Sequence, residues 1–128
     1  VNLGALTTNS DLKNNYGTVK VWTPEGYINT GRTKVGCFVG DHVKTGIGMT
    51  LNTGTVVGAG SNLYGSKTPP SQVPAFSWGS GNDLTRHRLP DFLETAKQVM
   101  GRRKIELTPG VAGILETAWR RTAERLEE

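Results

Sequence analysis

The chain has 128 residues, with 15 Lys and Arg against 11 Asp and Glu for a formal net charge of +4, 17 glycines and one cysteine. That length suffices for one domain with a real core, and lone Cys37 excludes an internal disulfide framework while fitting a reducing compartment. No apolar run approaches the roughly 18 residues of a membrane span, residues 1–12 lack the basic-then-apolar order of a secretory signal, and no helix-turn-helix, zinc-ligand spacing or aromatic–basic interleaving points to nucleic acid.

At the start, Leu3, Gly4 and Thr7 already fall in a six-residue phase. With no initiator Met, this predicts a piece cut from a longer protein. An insertion at about residues 10–16 breaks the rhythm with Asp, Lys and Asn, and regular material is expected to resume at Thr18-Val19-Lys20-Val21-Trp22. From Thr33 the step of six is sustained through Val39, Thr45, Leu51, Val57 and Leu63. A second slot of the same period holds Cys37, Val43, Met49, Thr55 and Ser61. Neither a helix, with period 3.6, nor a single strand, with period 2, makes this pattern. Short flat strands joined by tight turns and wound into a triangular coil do, so residues 1–65 read as a hexapeptide parallel β-helix. Both slots are expected to face inward, Cys37 as a small buried filler. Gly40, Gly46 and Gly58, with Asn52 in the same slot, are expected at corners where turns call for positive φ.

Residues 66–90 hold Pro69, Pro70, Pro74 and Pro90 together with Phe76 and Trp78, and read as an extended strap. Residues 91–128 read as helical. Phe92, Ala96, Val99 and Met100 share one face of a first helix that Pro90 introduces. Thr108-Pro109 opens a second, whose apolar stripe is Val111, Ile114, Leu115, Ala118, Trp119 and Leu126. The late basic residues, Arg86, Arg88, Arg102, Arg103, Lys104, Arg120, Arg121 and Arg125, read as a solvated surface, with attraction for a phosphate-bearing ligand or an acidic neighbouring domain as the alternative.

Specific stretches carry a family resemblance. Asn2-Leu3-Gly4-Ala5-Leu6-Thr7-Thr8-Asn9-Ser10-Asp11 resembles the N-x-G-A-G-T…N segment of the acetyltransferase domains of bifunctional sugar-1-phosphate nucleotidyltransferases. Val39-Gly40-Asp41-His42-Val43-Lys44-Thr45-Gly46 resembles their next coil, Asn52-Thr53-Gly54-Thr55-Val56-Val57-Gly58 continues it, and Pro74-Ala75-Phe76-Ser77-Trp78-Gly79 resembles a segment of one branch of these proteins. The resemblance implies a left-handed β-helix, a cytoplasmic homotrimer with acyl-donor sites between subunits, and acetyl-CoA-dependent N-acetylation of an amino-sugar 1-phosphate. It also implies an N-terminal nucleotidyltransferase domain, which this chain does not include.

Acyl transfer to an amine needs a base, a donor for the oxyanion, and both substrates held at attack distance. The resemblance puts the histidine base about one coil upstream of Gly4-Ala5-Leu6-Thr7, before Val1, so little or no turnover is expected of these residues alone. His42 reads as a corner residue and His87 as a surface residue. Asp11 stands where the family carries its functional Asn. An Asn amide can donate a hydrogen bond; an ionised Asp only accepts. Leu6 replaces a family Gly. Asn9 and Lys20 are the implied sugar-phosphate contacts, and Gly46, Ile47, Gly65 and Lys67 the implied acetyl-CoA contacts, with Trp78 either stacking on a ligand ring or pinning the strap. The alternative function is a non-catalytic trimerisation and support module for the nucleotidyltransferase.

Overall fold

The computed structural model describes residues 1–126. Most elements are two-residue strands: β1 (Asn2–Leu3), β2 (Thr8–Asn9), β5 (Phe38–Val39), β6 (Lys44–Thr45), β7 (Thr50–Leu51), β8 (Val56–Val57), β9 (Asn62–Leu63) and β10 (Gln72–Val73). Two longer hairpins, β3 (Lys20–Thr23) with β4 (Gly26–Asn29) and β11 (Ser77–Ser80) with β12 (Asp83–Arg86), and two helices, α1 (Leu89–Arg102) and α2 (Pro109–Leu126), complete the order.

The short strands stack in parallel into three walls. One runs β1-β6-β9-β11 with β12 added antiparallel, one β5-β8-β10, and one β2-β7. Lys44 pairs with Asn62 and Phe38 with Val56, so one full coil takes 18 residues, three steps of six. This is the arrangement of a parallel β-helix, each coil about 4.8 Å from the next. Val43, Met49, Leu51, Val57, Leu63 and Val73 form the core, with Cys37 and Val39 packed against it. Thr55 and Ser61 also face inward and are satisfied locally, Thr55 Oγ1 donating to the Asn52 carbonyl at 2.7 Å and Ser61 Oγ to that of Pro74 at 3.0 Å.

The glycine phase has a different cause from the one expected. Gly40, Gly46 and Gly58 do not take positive φ; Gly48, Gly54 and Gly60, two residues later, do. Gly40 and Gly58 allow close stacking instead. A Cβ on Gly58 would lie 2.4 Å from the Ala75 nitrogen, and one on Gly40 2.6 Å from that of Ala59. Three side-chain-bearing residues stand in the positive-φ column, Leu6 (φ 65), His42 (φ 60) and Phe76 (φ 58).

The insertion is longer than its sequence boundaries suggested. Asn2 pairs with Lys44, 42 positions on, where a plain coil would span 18; the extra 24 are residues 11–34. They leave the coil as an arm closed at its root by the Leu12–Lys34 bridge and the hydrogen bond from Val35 N–H to the Asp11 carbonyl at 3.0 Å. Thr18 to Trp22 is therefore not resumed coil but the approach to hairpin β3/β4, and Thr33 is exposed on the return.

Residues 66–90 likewise hold more regular structure than a strap: β10 extends one wall, β11 another, and β12 folds back on β11. The two-residue loop Gly81–Asn82 has Gly81 at φ 58, as a type II′ hairpin turn requires at its first position. The helices cover this end. Phe92 of α1 packs edge-on against Phe76, His87 and His42, with centroids 5.0, 5.7 and 5.8 Å away, and Ala96 is fully buried. Thr108 Oγ1 accepts from Val111 N–H at 3.3 Å, so Thr108 does open α2. Trp119 Nε1 donates to the His87 carbonyl at 2.7 Å, and the Arg86 guanidinium stacks 3.4 Å from the Trp119 ring centroid. Of the expected α2 stripe, the Leu126 side chain lies outside what the structure describes, as do residues 127 and 128.

Candidate functional site

The positions expected to hold an acyl donor do lie together, up one edge. This edge joins the β1-β6-β9 wall to the β2-β7 wall. Gly4, Gly46 and Tyr64 stack on successive coils: a Cβ on Gly4 would lie 2.5 Å from the Gly46 carbonyl carbon, and one on Gly46 3.4 Å from Tyr64 Cα. The next residue of each coil gives a second column, Ala5, Ile47 and Gly65, in which the Ala5 carbonyl accepts from Gly48 N–H at 2.8 Å. Ile47 is 78% exposed, and Gly65 (φ 85) sits against Ser80 Oγ. Lys67 follows, with Nζ 4.0 Å from Asp83 in an exposed pair of little energetic weight. Thr7 was not foreseen here. Its hydroxyl lies 2.9 Å from that of Thr45 and donates to the Gly46 carbonyl at 3.3 Å, which stiffens the edge.

Asn9, Asp11 and Lys20 lie at the other end of the β2-β7 wall. Asn9 is exposed on β2, its amide donating to the Ser10 carbonyl at 3.4 Å. Asp11 stands at the root of the arm with its carboxylate 3.6 Å from Lys34 Nζ, so its ionic partner is Lys34 and not Lys20. Lys20 opens β3, exposed, opposite Asn29. Its carbonyl comes within 2.8 Å of where a Gly54 Cβ would be, and Gly54 N–H donates to Gly36, two residues from the arm root. Asp11 and Lys20 thus flank one corner, connected by backbone and not by side chains. Within one chain, the wall separates this corner from the glycine edge.

Neither histidine lies at either place, and His87 is not a surface residue. It is 5% exposed, ringed by Trp78 (4.7 Å) and Phe92, with Nδ1 lacking a hydrogen-bond partner among the described residues. Burial pushes its pKa below the ordinary 6.5, against a hydrogen bond to the Gly60 backbone and the charge of Asp91. His42 is also lowered, by burial first and then by Lys44; Lys44 is lowered by burial. The neutral imidazole of His87 is thus a packing element. Its neighbourhood could have been found in the sequence through Phe76, Trp78 and Phe92, but not its depth.

A cleft of about 640 Å³ lies elsewhere, between the first coil and the last turn of α1, with Asp41, His42, Lys44, Arg102 and Arg103 among its lining. It contains none of the expected site residues. A shallow edge floored by glycine backbone makes no deep cavity, so cavity size does not identify the site here. Among the described residues, no helix is long and apolar enough to cross a membrane.

The chain is 41% identical over 64 residues to a bifunctional sugar-1-phosphate nucleotidylyltransferase/acetyltransferase of Sulfurisphaera tokodaii; the match covers 50% of this chain and 16% of that protein. It is 27% identical over 84 residues to an uncharacterized acetyltransferase, YaiX, of Escherichia coli strain 536, covering 66% of this chain and 36% of that one. No family profile matches. The chain therefore spans well under half the length of these relatives. The resemblance read from its motifs agrees with both in pointing to acetyltransferases, and with the first in pointing to the sugar-nucleotide type.

Proposed function

We propose that these residues form the acyltransferase-type domain of a sugar-nucleotide biosynthesis protein, a left-handed β-helix that assembles as a trimer in the cytoplasm. The reaction proposed for the whole protein is N-acetylation of an amino-sugar 1-phosphate by acetyl-CoA. The observation that carries the reading is the 41% match to a bifunctional nucleotidylyltransferase/acetyltransferase. The stacked glycines of the Gly4–Gly46 edge support it, because a thin thioester arm can lie against bare backbone there. The amine attacks the thioester carbonyl, the carbon–sulfur bond breaks and CoA leaves as the thiol. Asp11 and Asn9 hold the amino sugar by accepting from its ammonium or hydroxyls, and Lys20 faces its phosphate. Donor edge and acceptor corner meet only if a neighbouring copy brings its corner to this edge, which is why the trimer belongs to the proposal. The base is supplied from outside these residues, so this piece alone turns over slowly or not at all.

A non-catalytic, trimer-forming module is the second reading. It is favoured by the Asp11–Lys34 pair, which engages the residue at the family Asn position with the root of the arm. Thiol release from acetyl-CoA with glucosamine 1-phosphate, measured on the full-length protein, separates the two. No release sinks the enzyme reading, and a monomer by light scattering at micromolar concentration sinks the trimer.

A further inference from the structure

The donor edge ends in an aromatic pair. Along its first column the coils present Gly4 and Gly46, with no side chain, and then Tyr64. Tyr64 is 45% exposed and meets Trp78, 39% exposed, edge-on at 5.9 Å. Trp78 projects outward because its neighbours Ser77 and Gly79 face in, and its register partner on the coil below is Asn62. The result is a trough floored by backbone over two coils, closed at the third by two exposed rings. Ile47, 78% exposed, and Leu6, 87% exposed, stand on the far side of the trough. Four exposed apolar side chains, Leu6, Ile47, Tyr64 and Trp78, thus line this one edge, a surface that an apolar ligand contact can use. Lys67 lies beyond Tyr64 on the same edge, its ammonium paired only at 4.0 Å and largely in water.

A ligand that suits this shape is thin and flexible along the backbone floor and carries a planar ring, with anionic groups beside it, at the closed end. We propose that Tyr64 and Trp78 receive the base of the acyl donor's nucleotide, with Lys67 facing its phosphates, so that the thioester end lies toward Gly4. This rests on the acyltransferase reading above and deepens it: specificity for a nucleotide-bearing thioester over a bare pantetheine thioester would reside in these two rings. Ring stacking is tolerant of which base is present, so the selection is for a ring at that distance from the thioester and not for hydrogen bonds to its edge. The column from Gly4 to Tyr64 spans two coil steps, about 10 Å, short enough for a pantetheine arm to bridge.

The test is equilibrium binding of CoA, of adenosine 3′,5′-bisphosphate and of acetyl-pantetheine to the full-length protein and to Trp78→Ala, Trp78→Phe and Tyr64→Ala, each checked for a native circular-dichroism spectrum and melting curve. Trp78→Ala and Tyr64→Ala are expected to weaken CoA and the bisphosphate about tenfold each and to leave acetyl-pantetheine unchanged, and Trp78→Phe to restore most of the loss. Tyr64→Ala keeps the measurement decisive if Trp78→Ala disturbs its packing on His87, since Tyr64 touches neither His87 nor α1 in the ring contacts above. If the parent protein binds CoA and both alanine variants bind it equally well, or if acetyl-pantetheine loses as much as CoA, the aromatic assignment is wrong while the acyltransferase reading survives. If the folded parent binds no CoA, both fall together.

Discussion

Replacing Gly58 by Ala should destabilise the protein far more than replacing Gly48 by Ala, although only Gly48 has the backbone conformation usually thought to demand glycine. Gly48 has φ 70, but a Cβ there would meet nothing within 4 Å. The substitution therefore costs about 1–2 kcal/mol for the left-handed conformation. From this about 0.4–1 kcal/mol is recovered because the unfolded chain is less free, leaving a net loss of roughly 1 kcal/mol. Gly58 has an ordinary φ, yet its Cβ would lie 2.4 Å from the Ala75 nitrogen, 2.5 Å from Ala75 Cα and 2.9 Å from the Pro74 carbonyl carbon. All three are backbone atoms of the next coil and cannot swing aside. Relief requires the coils to part, which strains the bond from Gly58 N–H to the Val73 carbonyl at 2.9 Å. Overpacking without a rotamer escape belongs at or above the top of its usual range, about 3 kcal/mol. In urea unfolding at one fixed protein concentration, the midpoint should drop about three times as far for Gly58→Ala as for Gly48→Ala at unchanged slope. Equal losses, or the reverse order, would refute the assignment of these glycines to stacking and not to turn geometry.

Leu6 is 87% exposed at φ 65, so Leu6→Gly gives up almost no burial and should raise the thermal midpoint slightly, by at most about 1 kcal/mol of stability; a drop would show that Leu6 is buried in the assembled protein. His87 has a pKa below 6.5 in the folded chain, so the unfolded chain binds the extra proton first as pH falls. Stability should therefore be fully present above about pH 6.5 and decline below it toward the folded-state pKa, and His87→Gln should flatten that decline; an unchanged slope from roughly pH 6.5 to 5 would contradict it. Trp119→Ala removes both the bond to the His87 carbonyl and the ring under Arg86, and should expose the α1–α2 connection, residues 103–108, to limited proteolysis before the coils unfold.

The coil was legible because inward positions at every sixth or second-slot residue must be apolar or small, and Val43, Met49, Leu51, Val57 and Leu63 obey this without exception. The arm was not, because Thr18-Val19-Lys20-Val21 alternates polar and apolar much as coil strands do. The signal against coil was Thr23-Pro24-Glu25-Gly26, a turn sequence between two short strand-forming runs. Prolines at 69, 70, 74 and 90 argued for an irregular strap, yet the first three stand between strands and Pro90 in the first turn of α1, which leaves β10 to β12 free to pair. Of the candidate site, Gly46, Ile47 and Gly65 came from the family resemblance, and the coil register sets them on one edge. The company of Tyr64 and Trp78 did not, since it depends on a fourth coil two residues shorter than the others.

The 24-residue arm enters at a corner, and the pairing of Asn2 with Lys44 and of Asn9 with Leu51 is the same as if it were absent. The coil therefore behaves like a text with a fixed frame along its walls and free margins at its corners. Whole hairpins can be written into a margin without altering a line. A single residue added within β8 would shift Val57 out of the core and turn every later inward side chain toward solvent until the next corner absorbed it. New function on this scaffold can thus be gained in large pieces at the corners, while the walls tolerate almost no change in length.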